Sequence, residues 1–123
     1  MLHVSLDEEK GIATLEPNGE LSESDFITAT KLIDPYIDNF GELKGLVILV
    51  ESFPGWDSFS SLIAHLKFVR EHHKKVARIA FVTNSPIGSI AENIAKHFVN
   101  AQIRNFDFEE EITAKQWIAG DHD

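Results

Sequence analysis

The chain has no cysteine among its 123 residues. That excludes disulfides, thiolate nucleophiles and thiolate-held metals, and leaves the redox compartment open. No apolar run approaches the roughly 20 residues of a membrane span, and the acidic N-terminus resembles no signal peptide; the expected location is the cytoplasm. Positive charge is scarce: 11 Lys and Arg stand against 20 Asp and Glu, a formal net charge of −9. Such a balance argues against nucleic acid as a partner, because phosphate contacts need a basic footprint. Catalytic signatures are missing too. There is no G-x-S-x-G, Walker loop, G-x-G-x-x-G or H-E-x-x-H, so no enzyme, cofactor or metal is expected.

What is present fits one domain spanning residues 1–123, long enough for a real core and too short for two. Hydrophobic residues make up 43% and charged residues 25%, ordinary for a globular protein. The centre of the chain is Leu46-Val47-Ile48-Leu49-Val50, an unbroken apolar run rich in β-branched residues. That pattern predicts a strand covered on both faces. Glu51-Ser52-Phe53-Pro54-Gly55-Trp56-Asp57 follows and cannot continue it, since Pro-Gly breaks a strand. Ligands of open α/β sheets bind outside the carboxyl ends of such strands, which makes this loop the first place to look for function.

Around that strand the chain alternates. Leu2–Leu6 and Ile12–Glu16 have period-2 patterns joined by a charged connection, predicting an antiparallel hairpin. Ser22 with Asp25 resembles a capping box, and Phe26, Ala29, Ile33, Tyr36, Ile37 and Phe40 recur at helical spacing. Pro35 lies inside this helix and predicts a kink or restart, and Gly41 ends it. A second helix over 58–73 carries Phe59, Leu62, Ile63, Leu66 and Val69 as one stripe, with Phe68 on the other side. Val76–Val82 is a further strand, and Pro86 opens a third helix over 86–99 with Ile87, Ile90, Ile94 and Phe98 on its stripe. Ala101–Phe106 alternates like a strand nearer the edge. Asp107 caps a last helix with Ile112, Trp117 and Ile118 expected on its buried side. The order β-β-α-β-α-β-α-β-α implies an α/β fold with four helices and a mixed, mainly parallel sheet of about five strands.

The residues GLVILVESFPGWDSFSSLIAHLKFVREHHKKVARIAFVTNS, with the later FDFEEEITAKQWI, resemble the small bacterial SpoIIAA-like proteins. Those share the fold of STAS domains (anti-sigma-factor antagonists, sulfate-transporter tails) and of CRAL-TRIO carriers of apolar ligands. The resemblance covers nearly the whole chain and is specific for the family, not for a reaction. In STAS antagonists a serine heading the helix after the central strand is phosphorylated, in an Asp-Ser-Ser/Thr-Gly setting. Here the chain reads Asp57-Ser58-Phe59-Ser60, so the Asp-Ser pair fits and the next two positions do not. The resemblance implies Ser58 as a phosphosite in a regulatory protein-interaction module; the plainer reading makes Asp57 or Ser58 a helix cap.

The resemblance also implies an apolar or lipid-like ligand between helices 58–73 and 86–99. The cleft would be lined by Phe53, Trp56, Phe59, Leu62, Ile63, Leu66, Ile87, Ile90, Ile94 and Phe98; a stripe at helical spacing otherwise reads as core. Phe68 with Lys67, Arg70, Lys74 and Lys75 would face anionic head groups at a membrane surface. With Arg78, His72 and His73 these cations form a basic island, or simply complement a helix C-terminus. A homodimer burying the same stripes is a third possibility. Glu51 and Asp57 near the strand's carboxyl end could act as acid and base, although a loop carboxylate is more often solvated or capping, and adjacent His72 and His73 diverge by about 100° on a helix, a poor metal pair.

Overall fold

The structure is a computed structural model that describes residues 1–19, 22–52, 76–85 and 101–120. β1 (Leu2–Asp7) and β2 (Ile12–Pro17) form the expected antiparallel hairpin, with Leu2 opposite Pro17 and Asp7 opposite Ile12. Its connection closes on Asp7, whose carbonyl accepts from the Gly11 N–H at 2.8 Å and whose Oδ1 accepts from the Lys10 N–H at 3.1 Å. Gly11 has φ +69°, a left-handed conformation that glycine adopts without a Cβ penalty. β3 (Leu43–Leu49), β4 (Val76–Val82) and β5 (Gln102–Phe106) follow in order, giving one five-stranded sheet β1-β2-β3-β4-β5. Every pairing after the hairpin is parallel, so the mixed, mainly parallel α/β sheet expected from the sequence is present.

Among the described residues there are two α-helices rather than four. The helices expected over 58–73 and 86–99 lie outside the described residues. α1 (Glu23–Phe40) begins behind Ser22, whose N–H donates to Asp25 Oδ2 at 2.9 Å. That hydrogen bond, reinforced by the Ser22 hydroxyl, holds the Asp25 carboxyl below its ordinary range. The helix ends at Gly41, φ +87°, whose N–H reaches the Ile37 carbonyl at 2.7 Å. Contrary to the expected restart, α1 is one element through Pro35. Pro35 forfeits one backbone hydrogen bond, but the turns around it are anchored: Ala29 and Ile37 are buried, and the Tyr36 hydroxyl donates to the Glu8 carbonyl at 3.2 Å. Phe40 is not buried as the stripe suggested. It is 65% exposed and stacks on Tyr36, with ring centroids 4.6 Å apart. The side chain of Phe26 lies outside the described part.

The sheet is buried on both faces, as the continuous apolar run in β3 requires. Leu46 and Ile48 with Ala13, Leu15, Ile79 and Phe81 join Ala29 and Ile37 of α1 in one core. Val47 and Leu49, one residue out of phase, join Ile12, Ala80, Val82 and Phe106 in a second core. That second face is covered by α2 (Glu111–Ala119) through Ala114, Trp117 and Ile118. Asp107 opens the approach to α2 by capping a short 3-10 turn, Phe108–Glu110, where the Asp107 N–H donates to Glu110 Oε1 at 2.9 Å. Ile112, expected on the buried side, is 74% exposed. It stands two residues from Ala114, about 200° around the helix, whereas Trp117 and Ile118 follow Ala114 at i+3 and i+4. Gly45 permits the close approach: a Cβ there would lie 2.7 Å from Ile118 Cδ1 and 2.8 Å from Cγ1.

Candidate functional site

The carboxyl ends of β3, β4 and β5 stop level with one another, Leu49 beside Val82 and Val82 beside Phe106. The chain then leaves each strand through a polar residue set: Glu51-Ser52, Thr83-Asn84-Ser85 and Asp107. These segments are braced against each other. The Val50 N–H continues the ladder to the Val82 carbonyl at 3.1 Å, and the Thr83 N–H to the Phe106 carbonyl at 2.9 Å. The Glu51 carbonyl accepts from the Asn84 N–H at 3.0 Å and from Thr83 Oγ1 at 3.3 Å. Thr83, only 2% exposed, also accepts the Ser85 N–H on Oγ1 at 3.1 Å, so its hydroxyl ties the β3 and β4 exits together.

Asn84 and Asn105 bind the third exit. Asn84 Oδ1 accepts the Phe108 N–H at 3.0 Å, and Asn105 Nδ2 donates to the Phe81 carbonyl at 2.9 Å. Asparagine is unfavourable in strands, so Asn105 between Ile103 and Phe106 was a sequence signal that propensity alone would have flagged. The outcome is a rigid rim with Glu51, Ser52 and Asn84 exposed on it and Ser85 Oγ donating to Ser52 Oγ at 3.4 Å. The bonds that brace it run through backbone groups, Thr83 Oγ1, Asn84 Oδ1 and Asn105 Nδ2. The Glu51 contribution to this brace is its carbonyl, and Asp57, its expected acid–base partner, lies outside the described residues.

A model of the SpoIIAA-like family matches residues 12–119, from the first residue of β2 to the last of α2. The chain belongs to the SpoIIAA-like family. No curated protein and no solved structure matched it. β1 stands outside the matched span.

Most of the site residues expected from the sequence are not brought together by the described part of this SpoIIAA-like domain. Phe53, Trp56, Ser58, Phe59, Leu62, Ile63, Leu66, Lys67, Phe68, Arg70, Lys74 and Lys75 lie outside the described residues, as do Ile87, Ile90, Ile94 and Phe98. Of the basic island, Arg78 is described. It sits within β4, half-buried, and its guanidinium donates to the Trp117 carbonyl near the C-terminus of α2 while lying 5.2 Å from the Trp117 ring centroid. It therefore belongs to the sheet–helix packing rather than to a head-group surface.

A groove missed by sequence reasoning runs between the outer hairpin and α2, walled by Ser5, Asp7, Lys10, Thr14 and Lys115, with a volume of about 180 Å³. Lys115 is paired with Glu111 at 2.7 Å. The space falls below the several hundred Å³ of ordinary small-molecule pockets, which makes it unsuited to a lipid. Among the described residues no three His, Asp or Glu side chains gather as a metal site, and no helix is long and apolar enough to cross a membrane.

Proposed function

We propose that this SpoIIAA-like domain is a non-catalytic, STAS-type regulatory module that binds another protein across the carboxyl rim of its sheet, switched by phosphorylation at Ser58. The observation that carries the reading is the braced rim itself. Three chain exits are locked by hydrogen bonds between Glu51, Thr83, Asn84, Asn105 and Phe108, and a surface fixed in advance loses little entropy on docking. Hydroxyl and amide groups on such a platform suit a protein interface better than acid–base chemistry, which needs a poised proton acceptor. Ser58 follows six residues after Ser52. A phosphate there adds about two negative charges to an already acidic chain and alters which partners it accepts.

The test compares wild-type, Ser58→Ala and Ser58→Asp chains in quantitative affinity capture, with phosphopeptide mapping of Ser58. The expected result is a protein partner whose recovery changes about tenfold between Ala and Asp, a coupling of the ordinary size for a switch, and phosphate found on Ser58. Equal recovery with unmodified Ser58 overturns the switch. The apolar-ligand reading, with its cleft and membrane contact, rests on residues outside the described part; a lipid retained by the purified protein in native mass spectrometry would favour it instead.

A further inference from the structure

Among the described residues β5 is the outer strand of the sheet: it pairs with β4 and ends the strand order. Because the Phe106 carbonyl accepts from Thr83 of β4, the period of two turns the backbone groups of Ile103 and Asn105 the other way, off the sheet. Beside this edge stand two arginines on the α2 face. Arg104 is exposed, with its guanidinium 5.2 Å from the Phe106 ring and 5.8 Å from the Trp117 ring. Arg78, diagonal to it in the register, is held by Trp117 from the other strand. Neither arginine forms an ion pair among the described residues, in a chain with 20 acidic side chains. Both guanidiniums are oriented by aromatic rings instead.

We infer that β5 is a docking edge for an extended acidic segment of a partner protein, which adds as a sixth strand and places a carboxylate on Arg104. Main-chain hydrogen bonds to Ile103 and Asn105 supply the register, and side chains on alternate positions supply the choice of partner. A residue added opposite Arg104 lies on its face with Cβ atoms about 5 Å apart, within reach of a carboxylate. Charge on a short edge strand ordinarily discourages pairing. Here it discriminates: a neutral or basic strand is refused, and an acidic one gains charge-assisted hydrogen bonds. The chain's overall negative charge does not forbid this, because distant carboxylates are screened beyond about 8 Å at physiological salt. A second copy is a poor occupant, since its β5 would bring another Arg104 to the same place.

The test is an NMR titration of the full chain with a capped eight-residue peptide alternating glutamate and valine, against a lysine–valine counterpart. The expected result is shifts at the Ile103 and Asn105 amides and the Trp117 indole with the glutamate peptide only. Arg104→Glu should weaken it about tenfold by like-charge opposition and admit the lysine peptide; Arg104→Gln should fall between. Arg104 is exposed, so a circular dichroism melt should show all variants folded. Shifts located elsewhere, an affinity indifferent to Arg104→Glu, equal shifts with inorganic phosphate alone, or a β5-mediated dimer in light scattering would each overturn the inference. The deciding variants are at Arg104, which belongs neither to the braced rim nor to the Ser58 segment, so the outcome stands apart from the proposed function.

Discussion

Ile118 of α2 rests directly on the backbone of Gly45 in β3, in space where a side chain at residue 45 has no room. Replacing that hydrogen by methyl should therefore push the helix off the sheet. Gly45→Ala is expected to cost about 2–3 kcal/mol by overpacking, read as a lower urea midpoint. Ile118→Ala should also destabilise, but the double variant should be more stable than the sum of the two losses by about 1 kcal/mol or more. Strict additivity would mean that the two residues do not meet.

Thr83 holds the rim together through one buried hydroxyl that donates to Glu51 and accepts from Ser85. Thr83→Val keeps the shape and removes both bonds, leaving a carbonyl and an N–H without that partner. The expected loss is about 1–2 kcal/mol, and Thr83→Ser should restore most of it. Hydrogen exchange at Asn84 and Ser85 should quicken in the valine variant and not in the serine one.

Asp25 makes stability depend on acidity. The Ser22 N–H, with smaller help from the Ser22 hydroxyl, lowers its folded-state pKa below the unfolded value. Its contribution is therefore complete above the unfolded carboxylate range near pH 4 and is lost as pH falls through the lower folded value. Asp25→Asn should lower stability at pH 7 by about 0.5–1 kcal/mol, a typical cost for weakening a helix cap. The gap between variant and wild type should close in melts taken near pH 2, and a gap unchanged with pH would refute the linkage.

Pro35 interrupts the hydrogen-bond ladder of a helix that is otherwise anchored on both sides of it. Its side chain is exposed, so no packing is lost on replacement. Pro35→Ala is expected to raise stability by about 1–2 kcal/mol: a restored bond and better helix propensity outweigh the extra freedom of the unfolded chain. A lower thermal midpoint would instead mean that the backbone geometry proline imposes here is needed for α1 to reach the sheet.

The architecture was legible where periodicity and turn chemistry agree. The alternation at Leu2–Leu6 and Ile12–Glu16, the apolar run ending at Leu49, and Ser22, Gly41 and Asp107 as punctuation each point to one local structure, and the sheet order follows from their sequence. Element ends were less legible. Phe40 lies in the last turn of α1 and stacks on Tyr36 in the open, and Ile112 falls about 200° from Ala114, off the buried face of α2, so burial cannot be read from residue type there. Pro35 does not end α1, because anchoring on either side of it holds the helix together. The candidate site was legible only as a place, the exits of β3 and β4. The hydroxyl of Thr83 and the amide of Asn105 act across strands distant in sequence, and Arg104 meets Trp117 only once β5 and α2 share a face. No spacing rule reports such contacts.

The α2 cover has a consequence for biogenesis. Val47, Leu49, Ala80 and Val82 are shielded on one face by side chains from residues 114–118, which are made some thirty residues or more after the strands they protect. On the ribosome that face of the sheet stays open until the stretch through Ala119 has cleared the exit tunnel. During that interval the nascent strands are an aggregation risk, and a premature stop upstream of Glu111 leaves a chain with oily strands and no lid, a substrate for chaperones and proteases.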